Sequence, residues 1–203
     1  MELGNPRLWR ADLLLGAHDW LTRRAAIMPT SRRANRFDSF GKGTIICFPS
    51  TALFGEHSIQ IGEDTLIGPY VSLSAGMAPG QDLISNQIVK IGDRCLIGRQ
   101  CSIVGHLEIV IENDVFFGPN VYVTDQNHGF SDLDSPIGRQ AAGERPVRIG
   151  SGSWLGANVV VLPGVTIGHH VAVGAGSVVT RDLPDYAIAV GSPARVLKTQ
   201  EPG

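Results

Sequence analysis

Residues 149–184 read IGSGSW LGANVV VLPGVT IGHHVA VGAGSV VTRDLP, six consecutive six-residue units that each open on Ile, Leu or Val. The unit recurs upstream as IGEDTL, IGPYVS and LSAGMA from Ile61, IGDRCL, IGRQCS and IVGHLE from Ile91, and IENDVF, FGPNVY and VTDQNH from Ile111. Fifteen hexads thus begin with an aliphatic residue or Phe, nine carry Gly second, and the fifth position is mostly Val, Ser, Thr or Cys. An amphipathic helix needs a period of about 3.6 and a half-buried strand a period of 2, so neither accounts for six. The spacing predicts a triangular solenoid. Each hexad is a short strand plus a corner, its first residue points inward, its small fifth residue packs near the corner, and Gly supplies the backbone angles of the turn. Three hexads make one coil, which stacks residues 18 apart at the inter-strand spacing of about 4.8 Å.

Changes of phase locate the interruptions. Grouping the hexads into coils puts insertions at 79–90, 109–110 and 129–148, each after the third hexad, so all three leave from one edge of the prism. Long excursions from a rigid repeat are usually functional or disordered, and their clustering on one edge favours function. GTIICF, PSTALF and GEHSIQ, residues 43–60, continue the phase upstream as a degenerate first coil with Cys47, Leu53 and Ile59 in the fifth position. Cys47, Cys95 and Cys101 all fall at that position and read as small buried packing residues. Their odd number and spacing suggest neither a disulfide framework nor a structural zinc site. The chain thus divides into a partly helical capping segment over 1–42, the hexad β-helix over 43–184, and a C-terminal tail over 185–203.

Composition limits the remaining classes. The chain has 203 residues, is 43% hydrophobic but only 6% aromatic, and carries a formal net charge of −2, a globular composition with no electrostatic footprint for nucleic acid. No apolar run reaches the roughly 18–20 residues that span a bilayer, and no signal segment is evident, so a cytoplasmic protein is expected. The first 40 residues hold seven Arg against four acids, with Trp9, Leu13, Leu14, Trp20, Leu21 and Ile27 at mixed helical spacings. One or two short helices are expected there before Pro29. Capping the solenoid is their expected use, and contact with a membrane surface is the alternative.

The hexads, above all the run from Ile149 through the terminal GSPARVL, resemble the hexapeptide-repeat acyltransferases, in the branch of the sugar O-acetyltransferases. TDQNHGF, residues 124–130, is most similar to the enzymes that acetylate capsular and exopolysaccharide sugars. The resemblance covers residues 43–198 and implies an all-β left-handed parallel β-helix. The hand comes from the family alone, because parallel crossovers are otherwise right-handed. It further implies a homotrimer that takes acetyl-CoA as co-substrate, with no tightly bound cofactor, in grooves between neighbouring prisms. By the same resemblance His128 is the catalytic base. The residues agree, since His128 closes the third hexad of its coil just before the longest insertion and follows polar Asp125, Gln126 and Asn127, which can fix an imidazole tautomer. A neutral imidazole suits removal of a hydroxyl proton near neutral pH.

His106 lies in the third hexad of the preceding coil near the same edge and is read as binding the acceptor, with Asp125 and Asn127, or as assisting the base; a structural polar corner is the competing role for His106. Ala157 and Ala175 are 18 apart, so their methyl groups stack and leave backbone amides open to an extended pantetheine arm. The family resemblance assigns contacts near the CoA nucleotide and phosphates to Thr180, Arg181, Arg195 and Lys198, and places Trp154 near the thioester. Two other readings remain. A γ-type carbonic anhydrase needs three zinc-binding histidines, a spacing that His106, His128, His169 and His170 do not supply. A non-catalytic scaffold would need neither the His128 loop nor the small-residue groove. The acceptor asparagine and acidic groups of galactoside acetyltransferases are not reproduced in IGRQCSIVGH, residues 97–106, which leaves the acceptor sugar open.

Overall fold

The computed structural model describes residues 6–141 and 143–201, with side chains from residue 11 onward. Residues 1–5, 142 and 202–203, and the Trp9 side chain, lie outside the described residues. Three parallel sheets form the faces of a prism, and the chain visits them in strict rotation. The first face stacks Ser39–Phe40, Ile59–Ile61, Val89–Ile91, Ile109–Ile111, Val147–Ile149 and Thr166–Ile167. The second stacks Ile45–Ile46, Leu66–Ile67, Leu96–Ile97, Phe116–Phe117, Trp154–Leu155, Ala172–Val173 and Ala187–Val190. The third stacks Leu53–Phe54, Ser72–Ala75, Ser102–Gly105, Tyr122–Thr124, Val160–Val161 and Val178–Val179. This is a left-handed parallel β-helix.

Pairing follows the phase arithmetic. Trp154 pairs with Ala172, the uninterrupted 18-residue coil. Leu66 pairs with Leu96, Leu96 with Phe116, and Phe116 with Trp154, each offset being one coil plus the intervening insertion. First-position residues such as Ile61, Ile67, Ile97, Phe117, Ile149 and Leu155 are all but fully buried, as are fifth-position Thr65, Val115, Val121, Val159 and Ser177. Each aliphatic side chain so buried stabilises the fold by roughly 1.5–3 kcal/mol.

The glycines serve a different purpose from the one the repeat suggests. Left-handed backbone falls at the fourth position, at Asp64, Tyr70, Arg94, Gln100, Asp114, Asn120, Asn158 and His170 with φ from 52 to 61°. Second-position glycines are held to that identity by crowding: a Cβ on Gly156 would lie 2.7 Å from the Ala175 nitrogen, and one on Gly118 2.8 Å from the Ala157 nitrogen.

The first coil departs from the expected phase. Phe40 pairs with Ile61, Ile46 with Ile67 and Leu53 with Leu73, so Thr44 and Ile46 are the inward residues and Cys47 is not. The cause is one extra residue between Ile46 and Leu53 and two more around the helical turn Glu56–Ser58, which counting by sixes cannot register. Cys47 is only partly buried, beside a shallow apolar groove lined by Ala26, Met28, Phe48 and Pro69. Cys95 and Cys101 do pack inside, their thiols donating to the carbonyls of Glu112 and Gly118. Burial pushes the Cys101 thiol up to about 11.

The N-terminal segment forms one helix, α1 (Pro6–Ala25), whose described side chains are almost all exposed. The consecutive Leu13, Leu14 and Leu15 spread around its circumference and all three are exposed. The open end is instead closed by the stretch after the helix, where Ile27 is bridged to Ile46 and Ala34 and Phe37 are buried over the first coil. At the other end Ala187–Val190 adds a further rung to the second face, and Arg195–Thr199 turns back antiparallel against it. No helix among the described residues is long and apolar enough to cross a membrane.

Candidate active site

The third face delivers its strands to the edge from which all three insertions leave. Tyr122–Thr124 reaches this edge with Val123 and Thr124 buried and Tyr122 outward, and Asp125 continues inward with 0% exposure. The chain then turns out. Gln126–Asn127 pairs antiparallel with Gly143–Glu144, so the ends of the 129–148 insertion close as a hairpin. The Arg145 amide donates to the Asp125 carbonyl at 2.8 Å and the Gly164 amide to the Arg145 carbonyl at 3.1 Å, tying the returning arm to two coils. His128 stands on the outgoing arm, exposed, in a cleft of about 480 Å³ that Asn127, Phe130, Glu144, Arg145, Leu162, Pro163 and Thr180 also line. Among the described residues the His128 imidazole has no hydrogen-bond partner, so both ring nitrogens are available to a ligand.

Asp125, expected beside the acceptor and His128, is instead buried with its carboxylate turned to the backbone of the preceding coil. Its carboxylate accepts the backbone amides of His106 at 2.9 Å and of Leu107 and Glu108 at 2.8 Å each. A buried carboxylate needs such donors, and three consecutive amides at a corner supply them. Gln126 likewise turns aside, its amide reaching the Met77 sulfur at 3.6 Å. Of the polar run before His128, only Asn127 faces the cleft.

His106 is largely enclosed by protein partners rather than open to an acceptor. Its Nδ1 meets Glu144 Oε1, and its Nε2 lies 3.3 Å from the Gln81 side-chain amide. Glu144 was not legible in the sequence: GERP carries no periodic mark, and the pairing that sets its place arises within a 20-residue insertion. The carboxylate at Glu112, in a hexad's second position, was also missed. It accepts from the Ser151 amide and hydroxyl at 3.0 and 2.8 Å, pairs with Arg148, and lies 3.4 Å from His169.

The residues expected around CoA divide. Thr180 joins His128 in the cleft, and Arg181 follows it on the same edge, exposed. Trp154 stands on the second face between Phe116 and Ala172. Ala157 and Ala175 stack at the corner between the second and third faces, the Gly176 amide donating to the Ala157 carbonyl at 2.8 Å, with Ala175 exposed. Arg195 and Lys198 lie on the antiparallel C-terminal strand, opposite Val190 and Ile188. Within one chain, therefore, the alanine corner and Trp154 are separated from His128 by the width of the third face. Among the described residues no three His, Cys, Asp or Glu side chains gather so as to hold a metal ion.

Comparison with known proteins bears on both fold and chemistry. Residues 146–181 match the family described as bacterial transferase hexapeptide (six repeats), and residues 88–106 the hexapeptide repeat of succinyl-transferase. A putative lipopolysaccharide biosynthesis O-acetyl transferase of Escherichia coli K12 is 30% identical over 161 residues, covering 76% of this chain and 78% of that protein. A galactoside O-acetyltransferase of Lactococcus lactis is 36% identical over 138 residues, 68% of this chain and 61% of that protein. The matches span only 38 to 66% of the length of several further curated relatives. In fold, the chain is similar to AntD, an N-acyltransferase from Bacillus cereus solved with dTDP and coenzyme A, with a TM-score of 0.70 at 24% identity over 84% of this chain and 90% of that one.

Proposed function

This chain belongs to the hexapeptide-repeat acyltransferases, and on that footing we propose that it moves an acetyl group from acetyl-CoA to a hydroxyl of a sugar or polysaccharide precursor. The observation that carries the reading is His128, whose ring nitrogens have no partner among the described residues, exposed in a cleft that the 129–148 hairpin walls off and that Thr180 shares. The acceptor oxygen attacks the thioester carbonyl carbon while its proton passes to the His128 imidazole. As the tetrahedral intermediate collapses, the C–S bond breaks and the imidazolium returns the proton to the CoA sulfur. Backbone amides are suited to stabilise the oxyanion, and no covalent enzyme intermediate is needed.

CoA is read as lying along the corner of Ala157 and Ala175, with Trp154 near the thioester and Thr180, Arg181, Arg195 and Lys198 toward the nucleotide and phosphates, where cations suit the charge. That arrangement needs a neighbouring copy, because the width of the third face separates the alanine corner from His128. A row of apolar side chains on the second face supports a homotrimer: Leu66, Leu96, Phe116 and Trp154 stack at 41, 40, 45 and 45% exposure. A contiguous exposed apolar row of this kind marks an interface. The compartment assigned is the cytoplasm, where acetyl-CoA is available.

The test is released thiol from acetyl-CoA across a panel of methyl glycosides, short oligosaccharides and nucleoside diphosphate sugars. His128→Ala should lower kcat by about 10²- to 10⁴-fold on any acceptor found, the usual size of a general-base effect. A variant as fast as the native enzyme would remove His128 from the mechanism.

A further inference from the structure

The hydrogen bonds around His106 specify its protonation pattern and, through it, the role of Glu144. Gln81 Oε1 accepts the Met77 amide at 2.8 Å, which fixes the orientation of the Gln81 side chain and turns its NH₂ group toward His106. An NH₂ group can only donate, so His106 Nε2 is the nitrogen without a proton. Nδ1 carries the proton and donates it to Glu144 Oε1. The imidazole is itself anchored, since its own backbone amide is held by buried Asp125. One oxygen of Glu144 is thus clamped from a rigid coil, through a ring whose two nitrogens are both occupied.

The other oxygen has no partner among the described residues. The Glu144 side chain is 28% exposed and lines the same cleft as His128. A carboxylate oxygen there can only accept, and the donors a sugar offers are hydroxyls. The hydroxyl that attacks the thioester gives its proton to His128, so Glu144 must take a different one. We propose that Glu144 Oε2 contacts the substrate and sets specificity, accepting a hydrogen bond from a second hydroxyl next to the one acetylated, with His106 and Gln81 as positioning residues. The acceptor class is then a sugar with two neighbouring free hydroxyls, a diol. This rests on the sugar-acetyltransferase reading of the same cleft.

The experiment pairs enzyme and acceptor changes. The best sugar from the acceptor panel is compared with its monodeoxy derivatives, using the native protein, Glu144→Ala, Glu144→Gln, His106→Ala and the double variant His106→Ala with Glu144→Ala. The native enzyme should lose about 10- to 100-fold in kcat/KM on the derivative that lacks the neighbouring hydroxyl, the range expected for a hydrogen bond to a charged group. Glu144→Ala should lose the same factor on the parent sugar and no longer discriminate between the two, a pattern that general damage to the fold does not produce. The isosteric Glu144→Gln should fall between them. His106→Ala should raise the acceptor KM while retaining part of the discrimination, and the double variant should be no worse than Glu144→Ala alone. Native-like discrimination in both Glu144 variants would overturn the inference and leave the sugar reading standing. A panel that yields no sugar acceptor would overturn both.

Discussion

Corner geometry at the level of single residues divides the work of the hexad between two positions. The fourth position adopts a left-handed backbone and accepts Asp, Asn, Gln, Arg, Tyr or His as well as Gly, because its side chain points to solvent. Where the second position holds Gly, as at Gly118 and Gly156, φ is ordinary but there is no room for a Cβ, since the next coil passes against it. Gly156→Ala is accordingly expected to cost on the order of 1–3 kcal/mol through forced backbone displacement. Gly176→Asn, at φ 72° with no atom within 4 Å of its added Cβ, should cost no more than about 1 kcal/mol, since Asn tolerates the left-handed backbone that strains most residues. Chemical denaturation of the two variants tests the division: equal losses would mean that conformation rather than crowding governs both positions.

Elements of this fold are too short to hold themselves, so contacts between coils carry them. Glu112 is the clearest instance. Standing where other hexads have Gly, it reaches across the return of the 129–148 hairpin to Ser151, Arg148 and His169. Partial burial raises its pKa, but the Ser151 hydrogen bonds, Arg148 and His169 outweigh that and hold the carboxyl below its ordinary value. A depressed carboxyl contributes stability that is complete above the unfolded-state value of about 4.3 and disappears as pH falls through the lower folded value. Glu112→Gln should therefore lower the melting temperature at pH 7, and the gap should start to close as pH falls below the unfolded-state value and vanish below the lowered folded one. A gap that persists unchanged in acid would mean that the carboxylate charge is not what matters. The Asp125 carboxylate performs a similar service one edge away, joining the His128 coil to the three amides of the coil below.

For the whole molecule, the distribution of apolar surface decides how the site is completed. The second face is apolar outside as well as inside along its middle rungs, and the hairpin tip adds exposed Phe130, Leu133 and Ile137 beyond the prism. With His128 on one edge and the alanine corner on another, assembly and catalysis are expected to fail together. Leu96→Glu combined with Phe116→Glu should shift sedimentation from trimer to monomer and abolish turnover, whereas His128→Ala should sediment as the native protein does. Full turnover by a monomeric variant would return the entire site to one chain.

A six-residue period is a local property, and its consequences were legible from residue types alone: the parallel solenoid, the 18-residue stacking, the three insertions on one edge, and His128 at the mouth of the longest. The first coil escaped because three extra residues break the count without leaving a compositional trace. Asp125 and Glu144 escaped for a different reason. Whether a carboxylate points into a coil or into a cleft depends on which groups a folded neighbour presents to it. The repeat determined the scaffold and where its loops leave. Only the tertiary structure decided the partners of the loop residues, because hairpin closure joins positions with no fixed spacing between them.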